Sequence, residues 1–353
     1  MEEQKLMSKK KPSFPINEHL FKYLKRFNRA TKIPVFYDDL LRFSGSIAVF
    51  DKHDKDTLWI RCYYADYERD EIDQSLKKVY TILHSDGKGD NLDFLNIDAI
   101  DYCTFGNSKP FRIKIRNILN DNFTYFYVKK ADASRIYGLD FEHILSPHRI
   151  NFLVYKDTLI EEHIAGIPGD VFIKEYLPKL DRRAKNQIAK QFVKFNERCM
   201  LRLLGDMRSY NYVVIPTHDF DHVDYKIRAI DFDQQNFEGK LKVYRPQFFK
   251  ENYTMVKLVE DHFEESSILQ YKKEERSQVA KRLITSQKRF IILIRSMMKD
   301  NISSEDNVNQ LKSELVEFTK DIKFREATTM GHILKTALDF VKRNYLEYDE
   351  YRH

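Results

Sequence analysis

The chain has 353 residues, and 60 Lys and Arg against 54 Asp and Glu give it a formal net charge of +6. Hydrophobic residues make up 42% and only 10 glycines and 9 prolines occur, which excludes a disordered or collagen-like chain and allows two domains. No apolar run approaches the length of a membrane-spanning helix, the N-terminus lacks the apolar segment of a secretion signal, and three separated cysteines predict no disulfide framework. We therefore expect a cytoplasmic protein without a membrane span.

The basic residues are spread along the chain. The densest run, Lys9–Lys11, is typical of a solvated terminus, and the segment 272–276 alternates in sign like an exposed helix face. Nucleic-acid-binding proteins usually concentrate their basic residues on one face or in one tail. The charge pattern therefore argues against a nucleic-acid partner.

The first 90 residues predict an α/β segment of unknown role. Its elements are, in chain order, a helix over 18–28, a hairpin of strands over 46–50 and 58–64, and a helix with Ile72, Leu76, Val79, Tyr80 and Leu83 on one face. The polar, glycine-containing stretch 85–90 ends that helix and is the best candidate linker. We place the first domain boundary there.

The next segment, 91–165, is rich in strand signals. It predicts five strands and one helix: strands over 99–104, 111–118, 123–129, 149–155 and 158–163, and a helix over 134–145. Gly166–Gly169 has the composition of a hinge. The two-part order places a ligand in the cleft between the parts.

The last segment, 166–353, is mainly helical. Its predicted elements are a long amphipathic helix over 182–204 that ends at Gly205, a strand pair over 211–215 and 226–230, and helices after about residue 247, one of them capped by Ser304.

Three oxygen-bearing side chains flank the predicted strand pair. Asp206 and Asn211 lie on the loop after the long helix, and Asp231 ends the second strand. This order brings the three side chains to the same end of the strand pair. There Asn211 and Asp231 can hold Mg²⁺, and Asp206 can accept a hydroxyl proton. The alternative is that Asp206 caps a turn and Asp231 only ends a strand, since Asp-x4-Asn alone is a common pattern.

On these residues the chain resembles the protein-kinase-like superfamily, most closely its atypical and small-molecule branch: aminoglycoside and choline phosphotransferases, phosphoinositide kinases and HipA-type kinases. The resemblance covers about 99–240. It implies that Asp206 is the catalytic aspartate and that Asn211 and Asp231 bind the metal, with Mg²⁺ and ATP as cofactors.

Two positions depart from the pattern of the superfamily. Leu204-Gly205 replaces the usual His before the catalytic aspartate, and Asp233 replaces the glycine of the DFG-like motif. Asp233 then either supplies a further metal ligand or is a surface carboxylate. Arg208 lies where many kinases carry a cation, and the resemblance assigns it to the transferring phosphoryl group.

The resemblance also predicts a strand lysine that contacts the nucleotide phosphates. Lys129 and Lys130 end the third strand of the segment 91–165, and only one of them can point into the cleft because side chains alternate along a strand. The alternation of the preceding tyrosines favours Lys129. Glu142 on the following helix, or alternatively Asp140, is expected to pair with that lysine.

The remaining nucleotide contacts are carried over from the same resemblance. Backbone groups near Glu162, His163 and Ile164 would bind adenine, although a structural role is the alternative for His163. The loop between the first two strands of 91–165 carries a single glycine, Gly106, so a glycine-rich phosphate loop is the weakest match. Its backbone amides and the Ser108 hydroxyl are the candidate phosphate contacts.

Together the sequence predicts an α+β chain with a bilobal protein-kinase-like fold, in which 91–165 is an antiparallel β small lobe, 166–353 a mainly helical large lobe, and 1–90 an additional α/β segment. The implied function is ATP- and Mg²⁺-dependent transfer of the γ-phosphoryl group to a hydroxyl of a small molecule or protein. Two alternatives stay open: a pseudokinase that binds a nucleotide or a partner without catalysis, and an interaction protein whose carboxylates only cap loops. Residues 1–90 would select the acceptor or form a homodimer.

Overall fold

The computed structural model describes residues 11–51, 53–84, 92–106, 108–218 and 223–345, and the predicted linker at 85–90 lies outside them. The chain divides into two compact units: unit 1 comprises 1–133 and 150–163, and unit 2 comprises 134–149 and 164–353. Their elements make the fold mixed α+β, as predicted. None of the described helices combines the length and apolar character that crossing a membrane requires.

Unit 1 is built on one antiparallel sheet. Its strands are β1 (Gly45–Phe50), β2 (Asp56–Tyr63), β3 (Leu95–Cys103), β4 (Phe111–Asn117), β5 (Asn122–Lys130), β6 (Phe152–Tyr155) and β7 (Thr158–Glu162). Its helices are α1 (Glu18–Arg26), α2 (Tyr37–Leu40) and α3 (Asp66–His84). The strand order is β1-β2-β3-β4-β5-β7-β6. The predicted hairpin and the five predicted strands are confirmed, and the pairing of β2 with β3 joins them into one sheet.

Strand β4 shows why the two faces of this sheet differ. Its apolar side chains are buried and its basic side chains alternate with them, which is the period-two pattern of a strand with one covered face. Helix α3 covers the apolar face. The cluster that they form includes Ile72, Leu76, Val79, Ile97, Ile113 and Phe126. Each fully buried side chain of this kind contributes roughly 1.5–3 kcal/mol.

Unit 2 combines a small sheet with most of the helices. Its strands are β8 (Ile167–Pro168), β9 (Tyr212–His218) and β10 (Val223–Ala229), in the order β10-β9-β8. Its helices are α4 (Ala133–Leu145), α5 (Gly169–Val171), α6 (Arg182–Leu201), α7 (Tyr253–His262), α8 (Glu265–Thr285), α9 (Gln287–Met298), α10 (Glu305–Thr319) and α11 (Met330–Tyr345). The prediction of helices after about residue 247 is confirmed, and Ser304 caps α10 by accepting from the Asn307 N–H group.

Helix α6 leads into the loop that carries the candidate site. Asp181 caps its start by accepting from the Ala184 N–H group at 2.7 Å. The helix ends at Leu201, and the prediction that it continues to Gly205 is wrong. The reason is local, because Leu203 adopts a left-handed backbone with φ 55°, which a right-handed helix cannot contain.

The segment predicted as a hinge is packed against β9. Strand β8 pairs with Val213 and Val214. A Cβ on Gly169 would lie 2.3 Å from the Tyr212 ring and 2.4 Å from the Ser209 carbonyl oxygen. This glycine is therefore required by the close approach of the backbone to β9.

Candidate active site

The chain leaves α6 through a short loop whose backbone is anchored at Asp206. The Gly205 N–H group donates to the Gln234 carbonyl at 3.1 Å, and the Asp206 N–H group donates to the Val243 carbonyl at 3.2 Å. Asp206 itself has a left-handed backbone with φ 57°. Such conformations cost free energy in residues other than glycine, and they persist where the surroundings hold them, often at functional sites.

Asn211 is tied to Asp206 through the turn between them. The side-chain Nδ2 of Asn211 donates to the Asp206 carbonyl at 2.7 Å. The Arg208 N–H group donates to the same carbonyl at 2.8 Å, and the Asn211 N–H group donates to the Arg208 carbonyl at 2.9 Å. Since Nδ2 is engaged in this way, the Oδ1 of Asn211 is the atom of its amide that can coordinate a cation.

Asp231 is connected to this turn by the first backbone hydrogen bond beyond the β9–β10 pair. The N–H group of Ile230, its neighbour in sequence, donates to the Asn211 carbonyl at 3.0 Å. The negative charge of Asp231 is also close enough to raise the pKa of Asp206. The structure therefore brings Asp206, Asn211 and Asp231 together at one end of the small sheet in unit 2.

The carboxyl group of Asp206 is held in an unusual electrostatic environment. Burial raises its pKa from the ordinary 3.8 to about 6; the charges of Asp231 and Glu251 add to the rise, while Arg208 opposes it. The Nε of Arg208 donates to Asp206 Oδ1 at 2.8 Å, and its Nη1 donates to Glu251 Oε1 at 2.8 Å. A carboxylate with this pKa is a better proton acceptor at neutral pH than an ordinary aspartate.

Arg135 was not anticipated from the sequence, and it contacts both carboxylates of the Asp-Phe-Asp motif. It lies at the start of α4, and its side chain is 3% exposed. Its Nη2 donates to Asp231 Oδ1 at 2.7 Å, and its Nε donates to Asp233 Oδ1 at 2.5 Å. The only sequence signal is a lone arginine in the first turn of a mostly apolar helix, where an exposed position is the ordinary interpretation.

Helix α4 packs tightly against the same motif. A Cβ on Gly138 would lie 2.9 Å from the Phe232 Cβ and 3.1 Å from the Gln235 Cβ. The Ser134 hydroxyl donates to the backbone carbonyl groups of Asp233 and Gln235, at 3.1 and 2.8 Å. The helix thus fixes the backbone that carries Asp231.

In unit 1, Lys129 and Lys130 point to opposite sides of β5. Lys129 is buried, and its Nζ donates to Glu161 Oε2 at 2.6 Å. Lys130 is exposed and lies 3.2 Å from an Asp38 carboxylate oxygen. Lys129 pairs with Leu159 in the sheet register, so Glu161 is its diagonal neighbour on β7, on the same face.

The predicted partners of the lysine, Glu142 and Asp140, have other partners within unit 2. Glu142 is completely buried and accepts from Arg202, which holds the pKa of this carboxyl below its usual value against the effect of burial. Asp140 accepts from Arg289. Within unit 1 the neighbouring strand β7 supplies Glu161 as the partner of Lys129, and the expected pairing with Glu142 or Asp140 stays a prediction.

The remaining predicted contacts are dispersed. In unit 1, the Glu162 N–H group donates to the Asn151 carbonyl at 3.0 Å, and His163 Nδ1 lies 3.1 Å from the Tyr127 hydroxyl. Burial lowers the pKa of His163, and the positive charge of Arg112 lowers it further. These contacts favour the structural role that the sequence left as the alternative for His163.

Three more residues were predicted to contact the nucleotide: Ile164, Gly106 and Ser108. Ile164 is buried and belongs to unit 2. Gly106 has a left-handed backbone with φ +85° and open space where a Cβ would be, and Ser108 follows it in the loop, partly exposed. Asn107, between them, lies outside the described residues.

The donor set of the site suits a magnesium ion better than a transition metal. Asp231 offers a carboxylate that is 35% exposed, and Asn211 offers an amide oxygen, both of which are hard oxygen ligands. Among the described residues, no group of three or more His, Cys, Asp or Glu side chains is arranged to hold a metal ion by itself. Magnesium commonly takes only one or two carboxylates and completes its shell with phosphate and water, so these residues fit Mg²⁺.

No protein-family model matches the chain, and no curated protein matches it at a significant level of similarity.

Proposed function

We propose that the chain is an ATP- and Mg²⁺-dependent phosphotransferase that moves the γ-phosphoryl group to a hydroxyl of a small molecule or protein. The fold class that this implies is the bilobal protein-kinase-like fold. The observation that carries the proposal is the junction of Asp206, Asn211 and Asp231 on hydrogen-bonded backbone segments in unit 2.

Each side chain of the junction has a distinct part in this proposal. Asp231 and Asn211 hold Mg²⁺, which would neutralise charge on the transferring phosphoryl group. Asp206 orients the acceptor hydroxyl and takes its proton, for which a pKa of about 6 is well matched to neutral pH. Arg208 fixes the orientation of Asp206 through its 2.8 Å hydrogen bond, and Lys129 remains the predicted phosphate lysine.

One observation favours a second candidate function, a pseudokinase that binds a nucleotide or a partner without catalysis. Arg135 already pairs with both Asp231 and Asp233, so a cation at Asp231 must compete with a buried guanidinium. If Arg135 keeps this position, the two carboxylates are neutralised without a metal ion. The same residues would then serve to fix the motif to α4.

The two functions are separated by measuring binding and turnover on the same variants. Binding of a non-hydrolysable ATP analogue, with and without Mg²⁺, is followed by calorimetry, and ADP release is followed across hydroxyl-bearing small molecules and proteins. The variants are Asp206→Asn, Asp231→Asn and, as a matched control, Asp261→Asn, an exposed aspartate on α7.

The phosphotransferase is expected to lose ADP release in Asp206→Asn with nucleotide affinity nearly unchanged, and to lose the effect of Mg²⁺ on affinity in Asp231→Asn. Wild-type ADP release by Asp206→Asn would refute the catalytic assignment. Mg²⁺-dependent binding without ADP release for any acceptor supports the pseudokinase. No binding of Mg²⁺-nucleotide would reject both and leave an interaction protein.

A further inference from the structure

One face of the unit 1 sheet combines aromatic and cationic side chains. This face lies opposite α3 and is named here the aromatic–cationic face; its members are Trp59, Arg61 and Tyr63 on β2, Arg112, Lys114 and Arg116 on β4, and Phe123, Tyr125 and Tyr127 on β5. The register of β4 and β5 sets a ring opposite each cation: Tyr127 opposite Arg112, Tyr125 opposite Lys114, and Phe123 opposite Arg116. Successive pairs are separated by two residues, about 6.7 Å along the strand.

The rings and cations of this face are in contact. The Arg112 guanidinium lies 4.4 Å from the centre of the Trp59 ring and 5.6 Å from that of Tyr125. The Lys114 ammonium lies 4.2 Å from the centre of the Phe123 ring. Phe123 is nevertheless 55% exposed and Tyr63 is 46% exposed. Rings that stay this exposed beside cations can stack on a ligand.

Two carboxylates of the face, Asp101 and Asp98, are less exposed than the cations that they pair with. Asp101, whose side chain is 2% exposed, accepts from Arg61 at 2.8 Å and from Arg112 at 2.9 Å. Asp98, whose side chain is 19% exposed, accepts from Arg116 at 3.1 Å. The four cationic side chains are themselves 28–39% exposed. Arg116 also pairs at 3.1 Å with Asp121, whose side chain is 81% exposed, at the β4–β5 turn. Away from this turn, a ligand that approaches the face meets positive charge and rings first, and the buried Asp101 holds the guanidinium groups of Arg61 and Arg112 in place.

We propose that the aromatic–cationic face binds single-stranded nucleic acid. A cationic surface tracks the phosphates, and exposed rings stack on unpaired bases, which is how sheet-based modules bind single strands. A duplex is less suited to this face, because its bases are already stacked on one another. The inference goes beyond the proposed phosphotransfer and does not need ATP or Mg²⁺.

The sequence argued against this partner because strand alternation hides the cluster. Arg112, Lys114 and Arg116 are separated by apolar residues in the chain, so no basic run appears. The register of the sheet, together with Arg61 from β2, gathers them on one face.

The test is fluorescence anisotropy of a labelled, mixed-sequence single-stranded RNA, and of DNA of the same sequence, with the full chain and no nucleotide. Two variants probe the face: Lys114→Ala combined with Arg116→Ala, and Phe123→Ala. Their matched controls lie on α1, where Lys22→Ala combined with Lys25→Ala removes the same charge and Phe21→Ala removes an exposed ring. Circular dichroism verifies that each variant is folded.

We expect the double variant to lower the slope of log affinity against log salt concentration by about 1.4, or 0.7 for each lost phosphate contact. Phe123→Ala, which removes no charge, should weaken binding at least about fivefold. The α1 variants should match the wild type.

Three results would overturn the proposal. The first is affinity in both face variants equal to that of the controls. The second is tighter binding of duplex than of single strand. The third is binding to phosphatidylserine-containing vesicles without binding to either oligonucleotide, which would assign the face to an anionic membrane surface.

Discussion

Replacing Asp206 by Asn is expected to make the protein more stable at neutral pH while it removes the proposed catalytic base. The carboxyl of Asp206 has its pKa raised from 3.8 to about 6, with burial as the main cause. The folded chain therefore binds this proton more tightly than the unfolded chain does. Asn has the shape of the protonated acid and never takes up the charge.

The size of the effect follows from linkage between protonation and folding. The difference between 3.8 and about 6 is about two pKa units, and each unit corresponds to 1.36 kcal/mol, so ionised Asp206 costs the folded state about 3 kcal/mol. Below about pH 3 the group is protonated in both states, and the cost is absent. It grows as the pH rises from about 3 to about 7, and it is complete above that range.

Urea unfolding of the wild type and of Asp206→Asn from pH 3 to pH 8 measures this difference. We expect equal stability near pH 3 and an advantage of about 3 kcal/mol for the variant at pH 8. Asp261→Asn, the exposed control, should show no such pH-dependent advantage. An advantage of Asp206→Asn that is the same at every pH, or a loss of stability at pH 8, would refute the burial argument.

Three further predictions concern the buried ion pairs of the two units and the packing of α4. Arg135→Gln removes the buried cation that pairs with Asp231 and Asp233, and it should lower the free energy of urea unfolding by about 3 kcal/mol. This is the lower limit for breaking a buried pair, because the Asp231 side chain is a third exposed. Mg²⁺ should then stabilise the variant more than the wild type, and equal stabilisation would contradict competition between Mg²⁺ and Arg135. Lys129→Met should cost about 3–5 kcal/mol by removing the cation that pairs with the buried Glu161 carboxylate, whereas Lys129→Met combined with Glu161→Leu should be nearly neutral. Equal losses in the single and double variants would show that this ion pair is not the cause. Gly138→Ala should lower the free energy of unfolding by about 1–3 kcal/mol, because its methyl group must displace Phe232. The same displacement should weaken Mg²⁺-nucleotide binding. Unchanged binding by calorimetry would show that the packing of α4 does not affect the site.

The regular elements could be predicted because their signals are local. The aromatic and β-branched residues of 111–118 predict a strand from the sequence of that segment alone. The amphipathic pattern also predicted helix α6, but it did not predict where the helix ends. The left-handed turn that follows the helix falls on Leu203, whereas glycine is the residue that usually marks such a turn in a sequence.

The contacts of the site could be predicted only in part. The order of Asp206, Asn211 and Asp231 around a strand pair was visible in the chain, since a hairpin brings its two ends together. Arg135 is 96 residues away from Asp231 in sequence, and the two residues meet only because α4 packs against the Asp-Phe-Asp motif. Strand alternation singled out the buried lysine of β5 but could not name its partner, because that depends on β7 lying beside β5.

The pairing of β2 with β3 has a consequence for any shortened form of the protein. A fragment beginning at residue 91 would lose α3 and would leave the backbone groups of 101–103 that face β2 as a bare edge. The apolar side of the sheet, including Ile97 and Ile113, would lie open to water at the same time. Such an edge recruits strands from other chains, so the fragment is expected to aggregate rather than to report on the isolated remainder.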